Sequence, residues 1–218
     1  MEDYCDESVP APVKITRHER TERHPVMTPR RRNKGMRAGI GILMLMNKRL
    51  VAVLHSLPVT AGARTLDRVD LARRTLGCST AIVANLYPAT LRNVGALHGI
   101  TANEKVWQTG RSDILNALNG EATDVLLGFG VQLPTGQNRA LFKEQLYWLS
   151  TELATRELRV WGFGRRPSHP SRWQRLVHRE QPGGSLDEFA HQLLQPLATA
   201  DYLPARHGRA APGVIGIT

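Results

Sequence analysis

Two kinds of segment alternate along the chain: short unbroken apolar runs, and longer stretches in which apolar positions recur every three or four residues. The runs are Leu50 to Leu54, Thr80 to Ala84, Asp124 to Phe129 and Leu158 to Phe163. Runs of this kind predict strands buried on both faces, as central parallel strands are. Between them, Leu66, Val69 and Leu76 predict a helix over Thr65 to Leu76, with Thr65 as candidate cap and Gly77 as stop. Asp113 to Leu118 predicts a short helix, and Leu141, Leu146, Leu149 and Leu153 mark a longer one over Arg139 to Leu153. Beyond the last run, Ser185 followed by Glu188 forms a capping-box pattern that opens an amphipathic helix reaching Leu194.

The alternation contains no internal repeat. It predicts an α/β protein with a three-layer α/β/α arrangement and a mainly parallel four-stranded sheet. Residues 1–37 show no apolar periodicity, are interrupted by prolines at 10, 12, 25 and 29, and turn from acidic (Glu2, Asp3, Asp6, Glu7) to basic (Arg30, Arg31, Arg32, Lys34, Arg37). They predict a disordered basic arm, most of which a start at Met36 would remove. Ile40 to Met46 reads as a leader to the first strand or as its partner. One domain is expected over residues 38–200, with a loose Pro/Gly/Ala-rich tail over 201–218. The segment from Ala89 to about Thr109, carrying Arg92, Asn93, His98 and Asn103, is expected to be a long loop.

This order brings four strand ends to one edge: His55 to Pro58, Asn85 to Pro88, Gly128 to Gly130, and Gly164 to Ser171. Open α/β sheets bind ligands at that edge. The segment Arg159 to Arg175 is the hardest to explain as packing alone, because Pro167 and Pro170 stiffen the backbone on both sides of Ser168 and His169. Two readings stay open: a ligand site, or a surface turn in which His and Ser satisfy local backbone groups.

Charge narrows the partner. The 218 residues hold 29 Lys and Arg against 19 Asp and Glu, a formal charge of +10. Such an excess points to a polyanion, meaning nucleic acid (DNA ahead of RNA) or a nucleotide, with a merely solubilising role for the basic segments as the alternative. Arg165, Arg166, Arg172 and Arg175 surround His169. Cys5 and Cys78 fit neither a disulfide framework nor a metal-ligand spacing, which suits a reducing, cytoplasmic setting. No apolar run is long enough to span a membrane, and a signal peptide fits poorly, because the apolar run follows a long charged leader and no small-residue cleavage site comes after it. No phosphate-binding loop, dinucleotide fingerprint, metal cluster or nucleophile elbow appears, so neither cofactor nor metal is expected.

Three stretches together carry a resemblance: Ala-Ile-Val-Ala-Asn-Leu-Tyr-Pro (81–88), Asp-Val-Leu-Leu-Gly-Phe-Gly (124–130) and Pro-Ser-His-Pro-Ser (167–171). Over roughly Leu50 to Arg175 the chain resembles the domain-of-unknown-function family 1643, and more distantly its layout is similar to the uracil-DNA glycosylase superfamily. The resemblance implies that Asn85, with Tyr87 beside it, reads a base edge, while His169 stabilises negative charge on a departing base. It further implies that Gly128 and Gly130 let backbone approach the ligand, that Ser171 meets a phosphate, and that Trp173 enters the duplex where a base is flipped. Each has a plainer alternative: Asn85 as a turn former, Trp173 as a core aromatic, the glycines as a strand-to-loop turn.

The chain departs from the family at its first strand. Members usually carry Asn-Pro-Ser-Thr there, and glycosylases an Asp or Asn that positions water, whereas this chain has Leu54-His55-Ser56-Leu57-Pro58. His55 is then the candidate to orient a water, with Asp67 assisting. Thr65 and Arg68 do match the Thr-x-x-Arg spacing that follows the first motif in the family. The reading is a protein acting on nucleic acid by N-glycosidic chemistry with a degenerate water-positioning motif. The alternatives are a binding module on the same scaffold that lacks chemistry, or an unrelated phosphate-handling or structural α/β protein.

Overall fold

The computed structural model describes residues 14–15, 48–58, 63–120 and 122–204. Its strands are β1 (Lys14–Ile15), β2 (Arg49–Leu57), β3 (Thr80–Thr90), β4 (Ala122–Leu127), β5 (Arg159–Phe163) and β6 (Leu194–Pro196). They form one sheet in the order β1-β3-β2-β4-β5-β6. The central pairings β3-β2, β2-β4 and β4-β5 are parallel, and the two edge pairings, β1 on β3 and β6 on β5, are antiparallel. The fold is therefore α/β with a mainly parallel sheet. The expected count of four strands is corrected by the short antiparallel strands at the edges.

Side chains leave β2 alternately in two directions and enter two cores. Val51 and Val53 join a cluster with Trp107 and Ile114 of α2 (Glu104–Leu118) and with Phe142, Leu146 and Leu149 of α3 (Asn138–Thr155). Leu50, Ala52 and Leu54 join a second cluster with Val69 and Ala72 of α1 (Ala63–Thr75), Trp173 and Val177 of α4 (Trp173–Glu180), and Ala190 of α5 (Leu186–Leu193). Because helices cover both directions, every second position has to be apolar on each, and the strand reads as an unbroken apolar run.

Two expected boundaries fail for identifiable reasons. β3 does not end at Ala84: it continues through Asn85-Leu86-Tyr87-Pro88 to Thr90. The parallel register skips from Ser56↔Tyr87 to Leu57↔Thr90, and the irregularity accommodates Pro88, which has no N–H to give the ladder. The expected loop 89–109 is instead a 3₁₀ turn (Val94–Gly99) followed by α2, which starts nine residues before Asp113, with the Asn103 side chain accepting from the N–H of Lys105 as its cap. α1 begins at Ala63 rather than at a Thr65 cap. α5 is opened by the expected capping box of Ser185 and Glu188. α4 has no counterpart among the expected elements, since the Arg-rich stretch hides a pair of buried positions, Trp173 and Val177, one helical turn apart.

The packed region also reaches past residue 200. Tyr202 of the one-turn helix α6 (Thr199–Tyr202) is buried in the first core, and the Tyr147 hydroxyl donates to the carbonyl of Pro204 at 3.0 Å. The rest of the expected tail lies outside the described residues, as does the basic arm apart from Lys14–Ile15, which pairs with Ala81 and Ile82. The apolar run 40–46 also lies outside them. No helix among the described residues is long and apolar enough to cross a membrane.

Helix and sheet approach each other closely at Gly110 of α2. A Cβ there would lie 2.5 Å from the carbonyl oxygen of Leu86, so the absence of a side chain lets the helix lie against β3. Alanine normally favours a helix interior over glycine by about 1 kcal/mol. Here the order should invert: Gly110→Ala is expected to destabilise by about 1 to 3 kcal/mol in a denaturant melt, as overpacking does. Ser112→Ala, exposed on the same helix, should change stability by less than about 0.5 kcal/mol.

Candidate functional site

A cleft of about 380 Å³ opens at the carboxyl ends of the parallel strands. His55, Ser56, Leu57 and Pro58 enter it from the end of β2, Phe129 to Gln132 from beyond β4, and Pro167 to His169, Ser171 and Arg172 from beyond β5. After β3, the wall is made by Leu91, Arg92, Asn93 and Val94. Strand extension thus replaces the expected Asn85 to Pro88 edge by a segment several residues later.

His169 sits in a turn that is held from three sides. Arg68 of α1 donates from Nη1 to the carbonyl of Pro170 at 2.5 Å. The Trp173 indole Nε1 donates to the carbonyl of Ser168 at 2.9 Å, and the N–H of Arg172 donates to the carbonyl of His169 at 2.8 Å. Within the turn, the backbone N–H of Ser171 donates to His169 Nδ1 at 3.2 Å, and the Ser171 hydroxyl lies 2.8 Å from the same nitrogen. An amide N–H can only donate, so Nδ1 must be the acceptor and the neutral ring carries its proton on Nε2. Burial, then the positive charges of Arg172 and Arg68, lower the His169 pKa below its ordinary 6.5. The result is a neutral imidazole with a free N–H donor.

His55 is buried, at 6% exposure, and the hydroxyl of Ser56 lies 2.9 Å from its Nδ1 and 3.2 Å from its Nε2. Burial, reinforced at acid pH by the charge that His169 gains when it is protonated, lowers its pKa from 6.5 to about 4. Among the described residues, the positive charge lining the cleft comes from Arg92 and Arg172, both exposed, and no lining residue is a carboxylate.

The cleft therefore gathers His55, His169, Ser171, Arg172 and Gly130 from the residues expected to act. Gly130 lies on the wall at φ +83°, a left-handed conformation that favours glycine. Other expectations are corrected. Asn85 lies inside β3, paired with Leu54, and does not line the cleft, while its Oδ1 is buried with no hydrogen-bond partner among the described residues. Tyr87 is a core residue, its ring edge-on to Trp107 at 4.9 Å between centroids. A Cβ on Gly128 would lie 2.7 Å from Leu54 Cδ2 and 3.2 Å from Pro170 Cδ, so packing of side chains over that backbone fixes its identity rather than a ligand. Trp173 is fully buried and stacked on Phe163 at 4.1 Å and 7°, which rules out insertion into a duplex from the folded state.

Arg165 and Arg175 are exposed but do not line the cleft, Arg166 faces a neighbouring one, and Asp67 is exposed and does not line the cleft that His55 enters. Residues under-read in the sequence are Arg68, which pins the turn, and Arg92 and Asn93, which reach the cleft. The Thr-x-x-Arg spacing was the signal for Arg68: Thr65 lines the cleft and Arg68 reaches the turn from the same helix. His98 and Asn103, from the same expected loop, serve structure instead, at Thr135 and at the α2 cap. Among the described residues no group of three or more His, Cys, Asp or Glu side chains is placed to hold a metal ion. No protein-family model matches the chain, and neither a curated protein nor a solved structure matches it.

Two outcomes follow from this geometry. Trp173→Ala should cost about 3 to 5 kcal/mol by opening the core, while His169→Ala, on a turn held by other groups, should cost less than about 1 kcal/mol. Comparable losses in chemical melts would contradict the division between scaffold and site. The second outcome concerns acid. A histidine whose pKa is lower folded than unfolded makes the unfolded chain bind more protons, so its stability contribution is complete above about pH 6.5 and is lost as pH falls toward about 4. For His55 the full loss corresponds to about 3 kcal/mol. Urea melts at pH 7 and pH 4.5 should show a smaller acid loss for His55→Gln than for the wild type; parallel losses would contradict a buried neutral His55.

Proposed function

We propose that the cleft receives a nucleobase together with its phosphate, and that the protein acts on nucleic acid as an N-glycosidic hydrolase of the DNA-glycosylase type. The observation that carries this reading is the pairing of a neutral His169, its Nε2–H free to donate, with Arg92 and Arg172 around a cleft that has apolar walls at Leu57, Pro58 and Phe129. The apolar walls suit the faces of a base, the arginines suit a phosphate, and the imidazole N–H suits a carbonyl oxygen on the base edge. We take the protein to be cytoplasmic, with the sheet as the middle of three layers.

In the proposed reaction the C1′–N bond breaks with its electron pair leaving on the base. The resulting anion is spread onto the base oxygen, where the His169 N–H stabilises it without a proton transfer. Water then adds to C1′ of the cationic sugar and releases a proton. Water bound to such a cation is strongly acidic, so even an imidazole with a pKa of about 4, that of His55, can accept that proton. The ligand's own phosphate, held by the arginines, supplies negative charge near the sugar.

A second reading, binding without cleavage, is favoured by one specific observation: among the described residues no carboxylate lines the cleft to hold the water or face the cationic sugar. End-labelled oligonucleotides carrying one uracil or one other modified base, incubated with the full chain and then heated in alkali, separate the two. Cleavage at the modified base, reduced about 100-fold or more in His169→Ala, is the expected result. Binding without cleavage would leave the second reading, and no binding even at low salt would overturn both.

A further inference from the structure

A second cleft, of about 400 Å³, adjoins the first and shares with it the wall Phe129, Gly130 and Val131. Its far side carries Arg139 and Lys143 from the start of α3 and Arg166 from the turn after β5. Arg139 and Lys143 are four residues apart on a helix, a spacing at which like charges repel. Arg166 brings a third positive charge from a separate segment. None of the three makes an ion pair or a side-chain hydrogen bond among the described residues, whereas Arg73, Arg74, Arg156, Arg159 and Arg179 each meet a carboxylate. The acidic residue among the described ones on this wall, Asp201, accepts from the N–H of Ala198 at 2.7 Å, and its single charge leaves the described lining net positive.

Convergent cations without counterions cost electrostatic free energy that an anionic ligand would recover. Val131, 56% exposed, stands on the wall between the two clefts, so a ligand filling both would pass over an apolar surface. We propose that the second cleft holds a phosphate of the nucleotide next to the one whose base occupies the first. The ligand is then an oligonucleotide strand, not a free nucleobase or mononucleotide. This inference rests on the nucleobase reading of the first cleft, and deepens it by selecting a polymer whose charge recurs at each nucleotide.

The test compares the wild type with the triple variant Arg139→Gln/Lys143→Gln/Arg166→Gln, using calorimetric titration with a single-stranded hexanucleotide and with a deoxynucleoside 5′-monophosphate, each at several salt concentrations. Thermal melts establish that the triple variant is folded; should it melt early, the single variant Arg166→Gln, at an exposed turn position, carries the comparison. The expected result is about tenfold or greater weakening for the hexanucleotide, a salt slope shallower by about 0.7 for each phosphate that is no longer neutralised, and unaltered mononucleotide binding. Unchanged hexanucleotide affinity and slope, with both probes still bound, would overturn the second cleft's role and leave the first-cleft reading standing. Equal weakening of both probes would also overturn it, because the second cleft would then hold the nucleotide itself. Failure of the wild type to bind either probe at low salt would overturn the first-cleft reading and this inference together.

Discussion

β2 is hydrogen-bonded in parallel to β3 on one side and to β4 on the other, and β4 in turn to β5, so four strands must end at one edge. Every connection leaving that edge has to turn there before its helix returns, and the turns are where the chain can expose polar groups without breaking a ladder. His55, Arg92, Gly130 and His169 lie at widely separated positions in the sequence, yet this one constraint brings them to the same cleft. The two cores behind the edge make it stiff: apolar side chains of β2 leave alternately into both, and helices cover each. The site is thus a consequence of sheet connectivity, and its chemistry depends on which side chains stand at the ends.

Low polarity behind those ends sets the protonation of the site. His55 sits where protonation would place a charge in a buried pocket, and His169 is partly buried and sits beside Arg172 and Arg68, so both rings are driven toward the neutral form. For His169 the backbone of its own turn also selects the tautomer. Pro170 fixes the chain so that the N–H of Ser171 comes back to Nδ1, and Arg68 secures the turn by binding the Pro170 carbonyl. Arg68 thereby has two effects, one mechanical and one electrostatic, and neither requires it to touch a ligand.

Strand identities were legible because a two-sided buried strand writes an unbroken apolar run, and the His169 turn was legible because two prolines bracket it. What misled was punctuation. Asn85-Leu86-Tyr87-Pro88 carries turn-forming residues, but β2 remains available as a partner beyond that point, and a register irregularity lets the strand run past Pro88. That extension moved the edge to Leu91–Val94 and left Asn85 and Tyr87 behind inside the sheet. Trp173 misled for a different reason: its neighbours are arginines, and only the tertiary stack on Phe163 reveals that the indole faces inward. Gly128 looked like a place for a ligand and is a place for Leu54 and Pro170, a distinction that needs distances across the fold.

The central claim is that His169 is a neutral imidazole with its proton on Nε2, available to a ligand's oxygen. Nitrogen-detected NMR of the ¹⁵N-histidine-labelled protein reads this directly, because protonated and unprotonated ring nitrogens resonate far apart, and His169→Gln assigns the signals. At pH 7 Nδ1 is expected to be unprotonated and Nε2 protonated, with conversion to the imidazolium only below the ordinary histidine pKa of 6.5. A proton on Nδ1, or an imidazolium at pH 7, would contradict that claim.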